Sequence, residues 1–169
     1  MPANGDLGTL FTLLKSNAEY RLLFADRAHR HLMNGGVLTP QACDARWMAL
    51  AEAIDAAAAA ESARWGDYRR DVHPYSVAPY LLYTRNDHWL PEQTRLRTQY
   101  FPQRTATVLA QLRGAGLYPA VGAPIFSRHG GVIAAGYPLV ITLPAGTTGT
   151  IYSTTDGADP RVYGTGAIA

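Results

Sequence analysis

Five histidines are the first residues of this sequence with chemistry in them, since an imidazole holds metals and moves protons near neutral pH. Their spacing argues against a shared site. His29 and His31 stand two apart, so on a helix they point in different directions, unlike the i, i+4 pair of a helical zinc site. His73, His88 and His129 fall in loops or at helix edges and read as surface or packing residues. Cys43 is the only cysteine, which excludes an internal disulfide and any multi-cysteine metal centre. No metal site and no catalytic residue are expected.

Phosphoryl transfer needs a cradle for phosphates, a lysine on them and carboxylates for metal. The only lysine, Lys15, follows Leu13 and Leu14, and it reads as a solvated helix residue. The glycines of NGDLG, from Asn4 to Gly8, have no phosphate-loop spacing. The segment GDYRRDVH gathers Asp67, Arg69, Arg70, Asp71 and His73. It reads as an ion-paired loop. The alternative is a polar lining for a cleft, which makes Asp67, Arg69 and Asp71 weak binding candidates. DGADP carries Asp156 and Asp159 in a turn but lacks the alternating ligands and distal Glu of a calcium loop. Tyr137, Tyr152 and Tyr163 are either strand residues or platforms for sugar rings, with Tyr152 and Tyr163 the further binding candidates.

The elements that would hold these residues divide the chain in two. Hydrophobic residues make up 47% and charged residues 17% of 169, enough apolar material for a core. The net charge of +2 is carried by scattered arginines, so neither nucleic acid nor an anionic membrane is implied as a partner. The first ten residues have neither the basic nor the apolar region of a signal peptide, and no apolar run approaches the ~20 residues that span a bilayer. The chain is therefore expected to be soluble, with any export signal upstream.

Helices are predicted over residues 8–34, 39–65 and 89–113. SNAE, from Ser16 to Glu19, has the spacing of a capping box with Ser16 at the N-cap. Tyr20, Leu23, Phe24, Ala28 and His31 fall on one face of the helix that follows. Asn34-Gly35-Gly36 ends that helix, and Thr39-Pro40 opens the next, whose stripe is Trp47, Leu50, Ala51, Ile54, Ala58 and Trp65. Pro91 lies early in the last helix, with Leu96 and Tyr100 facing inward, and Phe101-Pro102 should break or kink it. LYPAVGAPIFSRHGG is a Pro/Gly-rich linker. After about residue 123 the period changes to 2, and PLVITLPAG and GTIYSTT read as strands, with a turn at Asp156-Gly157.

These segments carry a resemblance. Residues 10–55, ESARWGDYRRDVHPY and YFPQRTATVLAQLRGAGLYP resemble the C-terminal helical part of CotH-kinase family proteins, spore-coat-kinase-like proteins of bacteria. From Ala123 on, PIFSRHGG, LVITLPAG and above all IYSTTDGADPRVYG resemble the chitobiase/β-hexosaminidase C-terminal-like β-sandwich, a module associated with fibronectin type III domains. The resemblance implies α+β structure in separate parts. Residues 1–118 would form an N-terminal helical subdomain, and residues 119–169, entered through the Pro/Gly linker, an incomplete antiparallel β-sandwich. Because the family's nucleotide-binding and catalytic acidic residues lie upstream, it implies a non-catalytic C-terminal fragment of an exported or cell-surface parent. ATP and Mg would belong to an absent kinase core, the implied partner, and this chain would hold no cofactor. The alternatives are a stand-alone module that binds carbohydrate or another cell-surface group, glycan or protein, and residual protein kinase activity.

Overall fold

A computed structural model describes residues 7–72 and 82–168, with the backbone alone at Arg69 and Arg70. The chain is α+β. Helix α1 is Leu7–Ser16, α2 is Ala18–Leu32, α3 is Pro40–Trp65 and α4 is a single turn, Tyr68–Asp71. Residues 85–114 form one helical run. It starts with a wide π-helical turn, Arg85–Trp89, continues as α5 (Leu90–Arg95), widens again at Leu96–Tyr100 and ends as α6 (Phe101–Gly114). Strand β1 (Ile125–Phe126) pairs antiparallel with β2 (Ile141–Thr142), Ile125 opposite Thr142 and Phe126 opposite Ile141. By contacts the chain groups into two compact units, His31–Val108, and Met1–Arg30 with Leu109–Ala169. That grouping divides α2 and α6, whereas the expected boundary at 118/119 divides the chain by sequence pattern.

Local chemistry explains most boundaries and corrects one. The N-cap of α2 is Asn17, not Ser16: Asn17 Oδ1 accepts the Tyr20 N–H at 3.0 Å, while the Ser16 hydroxyl donates back to the Leu13 carbonyl at 2.6 Å. Ser16 still belongs to α1, so the first residue free to leave helical geometry is Asn17, and Asn caps as well as Ser. Glu19, expected to complete the box, instead accepts the Gly164 N–H at 3.0 Å and lies 3.6 Å from Arg161, within the same unit. Asn34 and Gly35 take positive φ, 54° and 77°, and turn the chain out of α2. Thr39 and Pro40 occupy the N-cap and first positions of α3, although the Thr39 hydroxyl donates to the Gly36 carbonyl instead of capping.

The buried faces agree with the predicted ones only in part. On α2 the most covered positions are Ala25 and Leu32; Tyr20, Phe24, Ala28 and His31 of the predicted face are half-buried, as are Leu22 and His29, whereas Leu23 is 56% exposed. On α3 only Ala51 of the predicted stripe is buried, and Leu50 and Ile54 are exposed. Leu96 is half-buried and Tyr100 is exposed, while farther along the last helix Leu109 is buried, with Val108 and Leu112 half-buried beside it.

Within the His31–Val108 unit, α3 and the 85–114 run are held by a polar ladder. Asp44 accepts from Arg97 at 2.8 Å, and Trp47 Nε1–H donates to Gln93 Oε1 at 2.6 Å. Ala51 is buried along the same line, and Asp55 takes the Arg85 guanidinium at 2.6 Å. Moving up α3 moves down the partner, so the two run antiparallel. The interruption expected at Phe101-Pro102 takes the form of a wide turn. A proline ring crowds the carbonyl four residues back and offers no N–H. Ahead of Pro91 and Pro102 the chain switches to i−5 bonds, Leu90 N–H to the Arg85 carbonyl and Phe101 N–H to the Leu96 carbonyl, and the helix passes both prolines.

From Leu117 on, paired strand is sparse. The two strands have two residues each and no buried position, and Arg161 and Ile168 form an isolated bridge. GTIYSTT, predicted as a strand, has no strand pairing. The turn at Asp156-Gly157 is present, with Gly157 at φ 83° and Asp156 Oδ1 accepting the Ala158 N–H at 3.0 Å. The start of the linker is packed: Leu117 is buried, and Tyr118 Oη lies 2.7 Å from His29 Nδ1.

Candidate binding site

The site grows from Thr84, an extended residue (φ −114°, ψ 156°) that starts the 85–114 run. Its hydroxyl accepts the Asp87 N–H at 3.0 Å and donates to Asp87 Oδ2 at 2.9 Å. In a capping box the acidic side chain returns to the N-cap N–H. Here His88 takes that place: the Thr84 N–H donates to His88 Nδ1 at 3.1 Å. An Nδ1 that accepts a bond puts the proton of the neutral ring on Nε2. The Thr84 carbonyl accepts from both His88 N–H (3.1 Å) and Trp89 N–H (3.2 Å), which is the widening that sets these two side chains. Wide turns of this kind concentrate at functional sites because the extra residue re-aims side chains.

Beside this turn, still within the His31–Val108 unit, is a cavity of about 810 Å³ lined by Trp65, Tyr83, Asp87, His88, Trp89 and Glu92 among others. The Tyr83 ring leans over His88, centroids 4.7 Å apart. One hydrogen bond, Tyr83 N–H to the Gly66 carbonyl at 2.9 Å, ties the segment to the end of α3. Gly66 is buried, and a Cβ there would lie 2.5 Å from the carbonyls of Ser62 and Tyr83. Trp65 has the Arg64 guanidinium 5.0 Å from its centroid and meets Tyr68 edge-on. One charge pair lies on the cavity wall. Arg95 bonds Glu92 through both oxygens, at 2.7 and 2.6 Å, which holds the Glu92 carboxyl below its usual range and the guanidinium above its own. Tyrosine, tryptophan and proline faces with a few placed polar groups are the usual make-up of a small-molecule site.

Of the residues singled out from sequence, His88 belongs to this site and the others lie elsewhere. Asp67 is at the N-cap of α4 with no side-chain capping bond, and Asp71 ends that turn; both are exposed. Arg69 sits between them, its side chain outside the described residues, as is the whole of His73. Tyr152 and the 81%-exposed Tyr163 stand on backbone outside the strands. The Tyr137 hydroxyl approaches Ser127 Oγ at 3.4 Å. Lys15 Nζ lies 5.7 Å from the Phe11 centroid. His129 meets Phe126 edge-on. Asp159 accepts from the Arg161 side chain and N–H, which lowers its carboxyl below the usual range. Among the described residues no three His, Cys, Asp or Glu are grouped to hold a metal ion. Nor is any described helix long and apolar enough to cross a membrane.

Sequence reasoning missed Trp65, Tyr83, His88 and Trp89 as one site. The signal that could have found it is Thr84-Arg85-Asn86-Asp87, a Thr-x-x-acid cap directly before His88-Trp89. Compared with family models, with curated proteins and with solved structures, the chain finds no match.

Proposed function

We propose that the chain is a non-catalytic binding and support part of an exported, CotH-kinase-like protein. Its helices brace a kinase core that carries ATP and Mg, and the reacting groups belong to that core. Residues 119–169 are the part of the chain that belongs to a chitobiase/β-hexosaminidase C-terminal-like β-sandwich, a reading supported at a coarse level by the antiparallel β1–β2 pair. The observation that carries the proposal is the cavity beside the Arg85–Trp89 turn. Its walls are aromatic rings with one charge pair, Glu92 with Arg95, and its rim carries Asp87 held by the Thr84 hydroxyl, which together make a recognition surface. Phosphoryl transfer needs a lysine on the phosphates, and Lys15 stands over Phe11 on α1.

The test is a phosphate-transfer assay on the purified chain with Mg-ATP and a casein-type acceptor. The expected result is no transfer above buffer. Transfer to the chain itself or to the acceptor, lost in Lys15→Ala, would refute the reading.

A further inference from the structure

We infer that the cavity beside the wide Arg85–Trp89 turn binds an uncharged saccharide built of pyranose rings. The inference rests on reading the chain as a binding part and names the ligand of that part.

Three observations select this chemistry. The first is shape and lining. The cavity, about 810 Å³ and open to solvent, is of small-ligand size, and Trp65, Tyr83 and Trp89 stand in its wall. Such rings present an apolar body with a polar edge, which matches a sugar, whose ring faces are C–H and whose rim is hydroxyl. The second is charge. A cationic ligand would meet a Trp65 that the Arg64 guanidinium already approaches. An anionic ligand would meet the carboxylates of Asp87, Glu92 and Glu61. Glu92 is already paired with Arg95, so Asp87 and Glu61 repel an anion and stand as acceptors for the hydroxyls of a neutral ligand.

The third observation is the placement of a donor beside an acceptor. The Thr84 N–H occupies His88 Nδ1 and so leaves the ring proton on Nε2. Next to it, Asp87 engages Thr84 through Oδ2. A histidine N–H and a carboxylate on consecutive residues of one wide turn address adjacent sugar hydroxyls, each of which both gives and takes a hydrogen bond. The turn fixes this pair before any ligand arrives, because Thr84 bonds both side chains.

The experiment titrates the full chain with triacetylchitotriose, cellotriose and maltotriose, read by tryptophan fluorescence and by calorimetry. Saturable binding of at least one is expected. His88→Asn keeps an oxygen near Nδ1 for the Thr84 N–H but removes the Nε2–H, so it should weaken binding about 10-fold with the melting temperature unchanged. Trp65→Ala should weaken it by about 10-fold or more. If His88→Asn lowers the melting temperature, Trp65→Ala carries the decision. The inference is overturned if no saccharide gives a saturable signal, or if both variants bind as tightly as the parent. It is also overturned if hexalysine or a hexaglutamate peptide binds in a Trp65-dependent way and the saccharides do not. Each of these failures leaves the non-catalytic reading intact, because that reading stands or falls on phosphate transfer.

Discussion

Replacing Trp47 by Phe isolates one rung of the ladder between α3 and the 85–114 run. The indole N–H of Trp47 donates to Gln93 Oε1 at 2.6 Å, and Gln93 is 9% exposed. Phenylalanine keeps the ring that meets Phe101 edge-on, so the change removes chiefly the donor. A neutral hydrogen bond is worth about 1 kcal/mol net, and a buried acceptor left without a partner costs about 1–3 kcal/mol. Trp47 itself is 36% exposed, so water can reach part of the vacated space and the lower half of that range applies. The expected loss is about 2 kcal/mol, or a fall of about 4–8 °C in melting temperature for a chain of this length. Adding Gln93→Leu removes the stranded amide and should recover about half, so the coupling in a double-mutant cycle is about 1 kcal/mol plus whatever Gln93→Leu costs alone. Urea denaturation followed by circular dichroism measures all four proteins. If Trp47→Phe is as stable as the parent, or if the two changes simply add, the ladder contributes nothing of this kind and the reasoning fails.

Three more outcomes are expected. Gly66→Ala should destabilise the chain by about 1–3 kcal/mol, because its Cβ meets two carbonyl oxygens that belong to backbone and cannot swing away; an unchanged melting curve would contradict that crowding. Arg97 holds the Asp44 carboxyl below its usual value near 3.8, so the pair stabilises the fold above that pH and fades as pH falls through the lower folded value. The stability difference between the parent and Asp44→Asn should therefore be present at pH 6 and shrink toward pH 2, and a difference that grows on acidification would reverse the sign of the argument. Amide hydrogen exchange should be faster at Ile125–Phe126 and Ile141–Thr142 than along α3, since short strands with exposed faces open cheaply; equal protection would show a cover over the strands.

The helices were legible in the sequence, and their faces only in part. Period and punctuation locate Pro40–Trp65 and the end at Gly114, because Thr39-Pro40 and paired glycines act within a few residues. The inward side of α2 was legible only in part, because Leu22-Leu23 and Phe24-Ala25 place apolar groups on adjacent faces, and only packing chooses between them. Small Ala25 is buried, while Leu23 is left in water. The ladder was illegible because its partners lie 30, 46 and 53 positions apart, and no local pattern relates Asp55 to Arg85 or Asp44 to Arg97. The cavity has the same difficulty: Trp65 comes from α3, while Tyr83 to Trp89 come from the far side of a long intervening segment. In the C-terminal part, β-branched composition signalled strands, of which only Ile125–Phe126 and Ile141–Thr142 pair as a sheet. Pro138 and Pro144 bracket β2 and leave it little room to lengthen.

The two wide turns give residues 85–114 an elasticity in length that a uniform helix lacks. Each holds a surplus residue relative to α-helical winding, so excising one position from Leu96–Tyr100 lets that turn tighten while Phe101–Gly114 keeps its rotational phase and Leu109 stays covered. The same excision inside α6 has no slack to draw on and would swing every later side chain by about 100° around the axis. Loss of a single residue is therefore expected to be tolerated at Leu96–Tyr100 and not beyond it, and the surplus at Arg85–Trp89 is held in place by the bonds that Thr84 makes to Asp87 and His88.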